Sequence, residues 1–278
     1  EASLPEGWQG KTLVPWPNRI VGARYAYRGQ EYPVPCNEPE TGSALHGLVG
    51  WADFQVVATS AGDDAVGDAP SSVALELTLP GSYAYPWSLQ VDVRFALDAR
   101  AGLTVAATTT CLGAGAPAAP DAVGAPESDG LLAPAPYGVS FHPYLTRSVP
   151  LDECVLQVPA ARVLDVDERM APAAERDVAG TDWDWRAGRP VGTISTDNAY
   201  TGLPQGPWEV RLTGGEAGST VVLSAEAPWV QVYTADHLGR RGVAVEPMTC
   251  PPDAFNSGRD LVELEVGRSH SFSYSLRE

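Results

Sequence analysis

Lysine is almost absent from the 278-residue sequence: Lys11 is the only one, and 18 basic residues in all stand against 35 acidic ones, a formal net charge of −17. Such a surface repels a phosphate backbone and anionic lipid alike, which makes nucleic acid and membranes unfavourable partners. A phosphate or carboxylate clamp would have to be built from arginines, and these are scattered along the chain. Histidine is scarce too, with four, so each can be weighed singly. The four cysteines, Cys36, Cys111, Cys154 and Cys250, are widely spaced with no CxxC pair. That pattern argues against a zinc ribbon or redox motif and for reduced thiols. No run of eighteen apolar residues occurs, and Glu1-Ala2-Ser3-Leu4-Pro5 lacks the basic and apolar regions of a signal peptide, so a soluble, cytoplasmic protein is expected. The chain opens without Met, which points to N-terminal residues cleaved, removed or left out. A Walker loop, a GxGxxG fingerprint, a GxSxG elbow and metal-ligand spacing are all missing, so neither metal nor nucleotide is called for. A neutral small molecule fits this composition best.

What the sequence has in quantity is short alternating runs rich in Val, Leu and Thr. In Val73-Ala74-Leu75-Glu76-Leu77-Thr78-Leu79 and in Leu89-Gln90-Val91-Asp92-Val93-Arg94-Phe95 the large apolar residues recur at every second position, the period of a strand with one wet face. Similar runs recur at 103–112, 155–158, 208–212, 220–225, 230–233, 242–245 and 271–276, separated by Gly, Pro, Asp and Asn clusters at the spacing of a sandwich. At 44% hydrophobic the chain can bury a substantial core, and one domain over 1–278 is expected. The expected fold is all-β, a large antiparallel β-sandwich with few short helices. Residues 160–176 are ambiguous and could hold a helical turn or two. Residues 61–71 and 113–136 read as loops, since Ala, Pro, Gly and Asp crowd out large apolar residues there. The second is an insertion between strands, about twice the length of an ordinary hairpin connection.

His142 follows that insertion in Ser140-Phe141-His142-Pro143-Tyr144, where the proline forces an extended backbone at the histidine. His46 lies in Leu45-His46-Gly47-Leu48 ahead of a strand. A histidine beside Gly or Pro at an element edge is often a hydrogen-bonded structural residue; the functional reading is an imidazole poised to exchange protons. His237 and His270 read as solvated surface residues. Glu246 closes the apolar run 242–245. It is either a strand-end acid in water or a carboxyl in a partly buried place, where desolvation lifts its pKa toward that of a general base. Asp197, followed by Asn198, reads locally as a turn former.

Five collinear segments, from about Gly10 to near the C-terminus, resemble the aldose 1-epimerase (galactose mutarotase) family. They are Pro15-Trp16-Pro17-Asn18-Arg19, the most specific; Leu45-His46-Gly47; His142-Pro143-Tyr144, followed here by Leu145 where family members commonly have Phe; Asp197-Asn198-Ala199-Tyr200; and a last group of Val230-Gln231-Val232-Tyr233, Val245-Glu246-Pro247 and Pro252-Asp253-Ala254-Phe255-Asn256. The resemblance implies a galactose mutarotase-like supersandwich that interconverts the anomers of an aldose such as glucose or galactose, without cofactor or metal. It implies Glu246 as general base, His142 as general acid and His46 as a second histidine near the ring oxygen. Arg19, Asn18, Asp197 and Gln231 are then the sugar-hydroxyl ligands. Trp16 and Trp51 are each either an apolar platform for the sugar or ordinary core. Two other readings stay open: a hexose-6-phosphate 1-epimerase drawing on Arg24, Arg28 and Arg147, and a carbohydrate-binding sandwich without catalysis.

Overall fold

The alternation seen in the sequence becomes the two faces of real strands. The computed structural model describes residues 6–61, 71–114, 133–215 and 218–278. In the strand Trp87–Asp98, Trp87, Leu89, Val91 and Val93 are buried while Asp92 and Arg94 face water. That strand belongs to a nine-stranded antiparallel sheet ordered Arg189–Pro190, Val155–Gln157, Trp208–Thr213, Thr220–Ala225, Ser269–Arg277, Gly102–Ala114, Trp87–Asp98, Ser71–Leu79 and Gln55–Ser60. Every alternating run expected to be a strand lies in or overlaps one.

A second, eight-stranded sheet runs Thr12–Leu13, Ser140–Phe141, Val243–Met248, Trp229–Tyr233, Asp197–Thr201, Arg162–Val166 and Pro172–Asp177, with Tyr144–Leu145 also pairing to Val243–Met248. The two sheets share one apolar interior. Val230, Val232, Val243 and Val245 from the second meet Val91, Val93, Val105 and Ala107 from the first in one buried cluster. Phe141 of the second sheet packs on Phe272 and Tyr274 of the first, with ring centroids 5.7 and 5.0 Å apart. The fold is therefore the expected all-β antiparallel sandwich; its one α-helix among the described residues is Ala254–Ser257.

Three expectations are corrected. Residues 160–176 hold no helix: Arg162–Val166 and Pro172–Asp177 form an antiparallel hairpin at the sheet's edge. The β-branched Val163, Val166 and neighbouring pairings outweigh the weak helical pattern. The 113–136 insertion is shorter than its composition suggests, because Gly113 and Ala114 continue one strand and Ala135–Tyr137 forms another; residues 115–132 lie outside the described residues. Ser71 likewise opens a strand, while 62–70 lie outside them. All four cysteines are free thiols, and no described helix is long and apolar enough to cross a membrane.

Burial along Trp87–Asp98 gives a direct test of this core. Leu89 is fully buried and Leu97 is 60% exposed, so Leu89→Ala is expected to cost about 2–5 kcal/mol in urea unfolding, whereas Leu97→Ala should stay within about 0.5 kcal/mol of the parent.

Candidate active site

The site forms where one sheet turns its non-core face to a cavity. Val243 and Val245 point into the sandwich, so alternation turns Ala244, Glu246 and Met248 to the opposite face. The antiparallel register pairs Gln231 with Glu246, Ala199 with Gln231 and Asp197 with Tyr233. Asp197, Gln231, Tyr233 and Glu246 thus share that face. Gln231 Nε2 donates to Asp197 Oδ1 at 2.6 Å.

His142 arrives by an interrupted ladder. Ser140 pairs with Met248 and Tyr144 with Ala244, so the register carried between them sets residue 142 opposite Glu246. Pro143, which has no N–H to give, splits the strand at that point. His142 Nε2 lies 3.2 Å from Glu246 Oε1.

The facing wall is a tight turn. Arg19–Ile20 pairs with Ala44–Leu45, and just outside this bridge Asn18 and His46 both take left-handed backbone, with φ of 51° and 62°. They hold each other reciprocally: His46 N–H donates to Asn18 O at 2.8 Å, and Asn18 N–H donates to His46 Nδ1 at 3.2 Å. Gly47 follows with φ 71°, where any Cβ would stand 2.2 Å from Val14 O, so only glycine fits. With Nδ1 used as an acceptor, the proton of the neutral imidazole sits on Nε2. His46 therefore presents an N–H to the cavity.

Arg19 leaves the same turn with its guanidinium clamped on Glu38, Nε to Oε2 at 2.7 Å and Nη2 to Oε1 at 2.8 Å. The Pro252 to Asn256 segment secures its backbone: Asp253 N–H donates to Arg19 O at 2.7 Å, and Asp253 Oδ1 accepts from Val21 N–H at 2.9 Å. Trp8, Tyr144, Tyr233 and His237 complete the wall of a cavity of about 350 Å³, the small end of ligand-pocket sizes. Tyr144 stacks on His142 at 5.2 Å and Trp8 meets His46 edge-on at 5.0 Å.

Burial dominates the electrostatics. Desolvation lowers His142 to about 3, and desolvation, then repulsion from His142 and Arg19, hold His46 well below its ordinary value. Desolvation, reinforced by Asp197 and opposed by Arg19, pushes Glu246 well above the usual carboxylate range. Asp197 is raised as well, by burial only partly offset by Arg19 and Gln231. Burial thus biases the two imidazoles and the Glu246 carboxyl alike toward their uncharged forms. Glu246 Oε2, His142 Nδ1 and Gln231 Oε1 are buried with no hydrogen-bond partner in the protein, so each is open to a ligand or a water. The ligating atoms of His46, His142 and Glu246 lie within 4.8 Å of one another, a spacing open to a metal ion. To ligate through Nε2, however, His46 would have to move its proton to Nδ1, against the Asn18 N–H. The donor set suits hydrogen bonding and proton exchange better than ligation.

Of the residues singled out from sequence, Glu246, His142, His46, Arg19, Asn18 and Asp197 all line this cavity. Gln231 sits behind them and reaches it through Asp197. Asp197 opens a strand rather than a turn. His237 is exposed as expected, yet it stands on the cavity rim beside the Tyr233 hydroxyl. His270 is not a solvated residue: it is half-buried against Tyr137, its pKa lowered by burial. Trp16 is core, packed on Phe255. Trp51 is outside the cavity and supports Trp8 at 5.2 Å. Glu38, Trp8, Tyr144 and Tyr233 were not found from sequence. Tyr144 and Tyr233, inside the motifs His142-Pro143-Tyr144 and Val230-Gln231-Val232-Tyr233, offered the usable signals.

A sequence model of the aldose 1-epimerase family matches residues 3–118 and 126–277. The chain is 36% identical to an uncharacterised Escherichia coli (strain K12) protein, YihR, over 98% of this chain and 80% of that one. Among solved structures it resembles a galactose 1-epimerase from Lactobacillus acidophilus NCFM, with TM-score 0.78, 17% identity and coverage of 99% of this chain and 82% of that one. It also resembles a GalM/aldose epimerase homologue from C. elegans, with TM-score 0.77, 19% identity and coverage of 99% and 84%.

The raised Glu246 pKa has a consequence for stability. A carboxyl held above its unfolded value stabilises the fold below the unfolded pKa, and that contribution is lost as pH rises toward the folded value. Glu246→Gln removes the titration, so thermal melts at pH 5 and pH 8 should show the variant gaining on the parent as pH rises. A difference independent of pH would mean the folded carboxyl is not raised.

Proposed function

Because the chain belongs to the aldose 1-epimerase family, we propose that it interconverts the α and β anomers of a free aldohexose, with Glu246 and His142 exchanging protons at the two ends of the bond that opens. The observation that carries this reading is the buried pair itself. His142 Nε2 and Glu246 Oε1 are 3.2 Å apart, and Glu246 Oε2 is an acceptor without a partner.

Anomer exchange takes a proton from the hydroxyl on C1 and gives one to the ring oxygen, so the C1–O5 bond breaks and an open-chain aldehyde forms. Rotation about C1–C2 presents the other carbonyl face, and closure reverses both transfers. The acid-base pair therefore needs one proton at every stage. Burial favours the form in which that proton rests on the carboxyl. The reactive form, a carboxylate facing an imidazolium, has the same proton count and differs only by a transfer across the 3.2 Å contact. From there Glu246 takes the hydroxyl proton, His142 protonates O5, and both groups end neutral. Ring opening thus discharges an ion pair in a dry pocket, where unscreened charge is costly. Steps of this kind are typically worth about 10² to 10⁴-fold each.

His46 is a fixed N–H donor at the ring-oxygen end and carries no proton through the cycle. Arg19 and Asn18 supply donors to the sugar hydroxyls and Asp197 an acceptor, while Gln231 aims the Asp197 carboxylate. Trp8 offers the apolar face that sugar C–H groups prefer. Arg24, Arg28 and Arg147 are absent from the cavity lining. Arg28 pairs with Glu263 and Arg147 with Glu278, which favours an unphosphorylated substrate. The observation favouring a 6-phosphate is Arg241, exposed in an adjoining depression that shares Tyr144 and His237 with the cavity.

Polarimetry or NMR exchange on fresh α-glucose, α-galactose, further aldoses and their 6-phosphates tests the reading. The protein should accelerate equilibration, and Glu246→Gln and His142→Ala should each lower kcat/KM by about 10² to 10⁴-fold. Unchanged rates across the panel would leave a carbohydrate-binding protein instead. The pH profile is a second check. With His142 lowered to about 3 and Glu246 raised, the one-proton form lies between the two values. A flat kcat/KM plateau is expected there, falling as Glu246 ionises; a fall already at the ordinary carboxylate value of about 4.3 would contradict it.

A further inference from the structure

Among the described residues, Arg19 is the only arginine or lysine lining the cavity, and most of its donors are engaged by the chain. Five N–H donors radiate from a guanidinium. Two go to the Glu38 carboxylate in a parallel fork, a charge-assisted bidentate pair. A third, on Nη1, reaches Asn18 Oδ1 at 3.4 Å. The remaining two are left for the cavity. Glu38 is itself braced. The Thr41 hydroxyl donates to its Oε2, and the Glu38 carbonyl accepts from the N–H groups of Thr41, Gly42 and Ser43 at 3.3, 3.0 and 3.3 Å. Thr41 O in turn accepts from Arg169 Nε and Nη2 at 3.2 and 3.0 Å. Arg169 belongs to the turn between Arg162–Val166 and Pro172–Asp177, so this chain of contacts begins in the sheet that carries Glu246.

We propose that Glu38 is a positioning residue of the reaction: it fixes which guanidinium donors of Arg19 face the sugar, and it tempers the positive charge that Arg19 brings to bear on Asp197. This inference rests on the anomer-exchange reading. A glutamate in a partly buried ion pair could equally serve folding alone, but a structural pair would not be felt at the sugar ligands. The charges here are coupled. Arg19 pulls Asp197 downward, against the burial that raises it, and Glu38 opposes that pull. Glu38 is itself held ionised by Arg19 and Thr41 despite its own burial. Without it, the Arg19 guanidinium would be free to turn, and its charge would bear on Asp197 unopposed.

The test is Glu38→Gln with Glu38→Asp beside it, read in two ways. In kinetics, Glu38→Gln should lower kcat/KM about tenfold, chiefly by raising KM, and Glu38→Asp, which keeps the charge, should recover part of that loss. Independently of turnover, the carboxyl C=O band of Asp197 in infrared difference spectra, identified by its loss in Asp197→Asn, should titrate lower in Glu38→Gln. If the parent exchanges no anomers, the functional reading fails while the infrared titration still decides the role of Glu38. A KM and a band that both stay put, with only the melting temperature reduced, would overturn the proposal and leave a structural ion pair. Should Glu38→Gln not fold, Thr41→Val removes one brace of the Glu38 carboxylate and is expected to raise KM about threefold with kcat nearly unchanged; an unaltered KM would overturn the proposal equally.

Discussion

The contact on which the site depends is a carboxyl facing an imidazole in the same dry space. Glu246 is 2% exposed and His142 4%, and at that depth two separated charges would be expensive. Burial answers by moving the two pKa values in opposite directions, which leaves one proton to be shared. The cost of placing ionisable groups there is carried by the apolar layers around them: Val243 and Val245 on one face of the strand, Met248, Ala199 and Trp229 on the other. Everything else in the cavity adjusts that proton or aims a ligand at it.

The surrounding residues do this by limiting choices. The Asn18 N–H removes one of the two tautomers open to His46. Gln231 fixes the rotation of the Asp197 carboxylate, and Glu38 that of the Arg19 guanidinium. Asp253, far along the chain, holds the backbone from which Arg19 springs. A sugar entering such a site meets hydrogen-bonding groups whose orientations are already decided, so little ordering remains at the moment of binding.

How much of this could be read beforehand follows from which interactions are local. Period-two alternation is local, so the strands were legible, and so were Glu246 at the end of one and His142 before its proline. Residues 160–176 misled because their pattern is weak and a hairpin partner decided the outcome. Asp197 beside Asn198 carries a turn signal, but cross-strand pairing with Tyr233 overrode it. Glu38 and Trp8 were invisible for a different reason. Each gains its meaning only from a partner that the chain brings up in three dimensions, Arg19 in one case and His46 in the other. His270 looked like a surface residue because nothing in the sequence announces Tyr137 as its neighbour.

The strand Val243–Met248 is buried on both faces along its whole length. A slip of one position would drive the carboxylate of Glu246 into hydrocarbon and bring Val245 out in its place. Registry and competence are thereby welded together: a molecule that pairs this strand wrongly forfeits its stability at the same stroke as its chemistry. Folding itself acts as the proofreader, and well-folded but idle copies with this strand displaced have nowhere to accumulate.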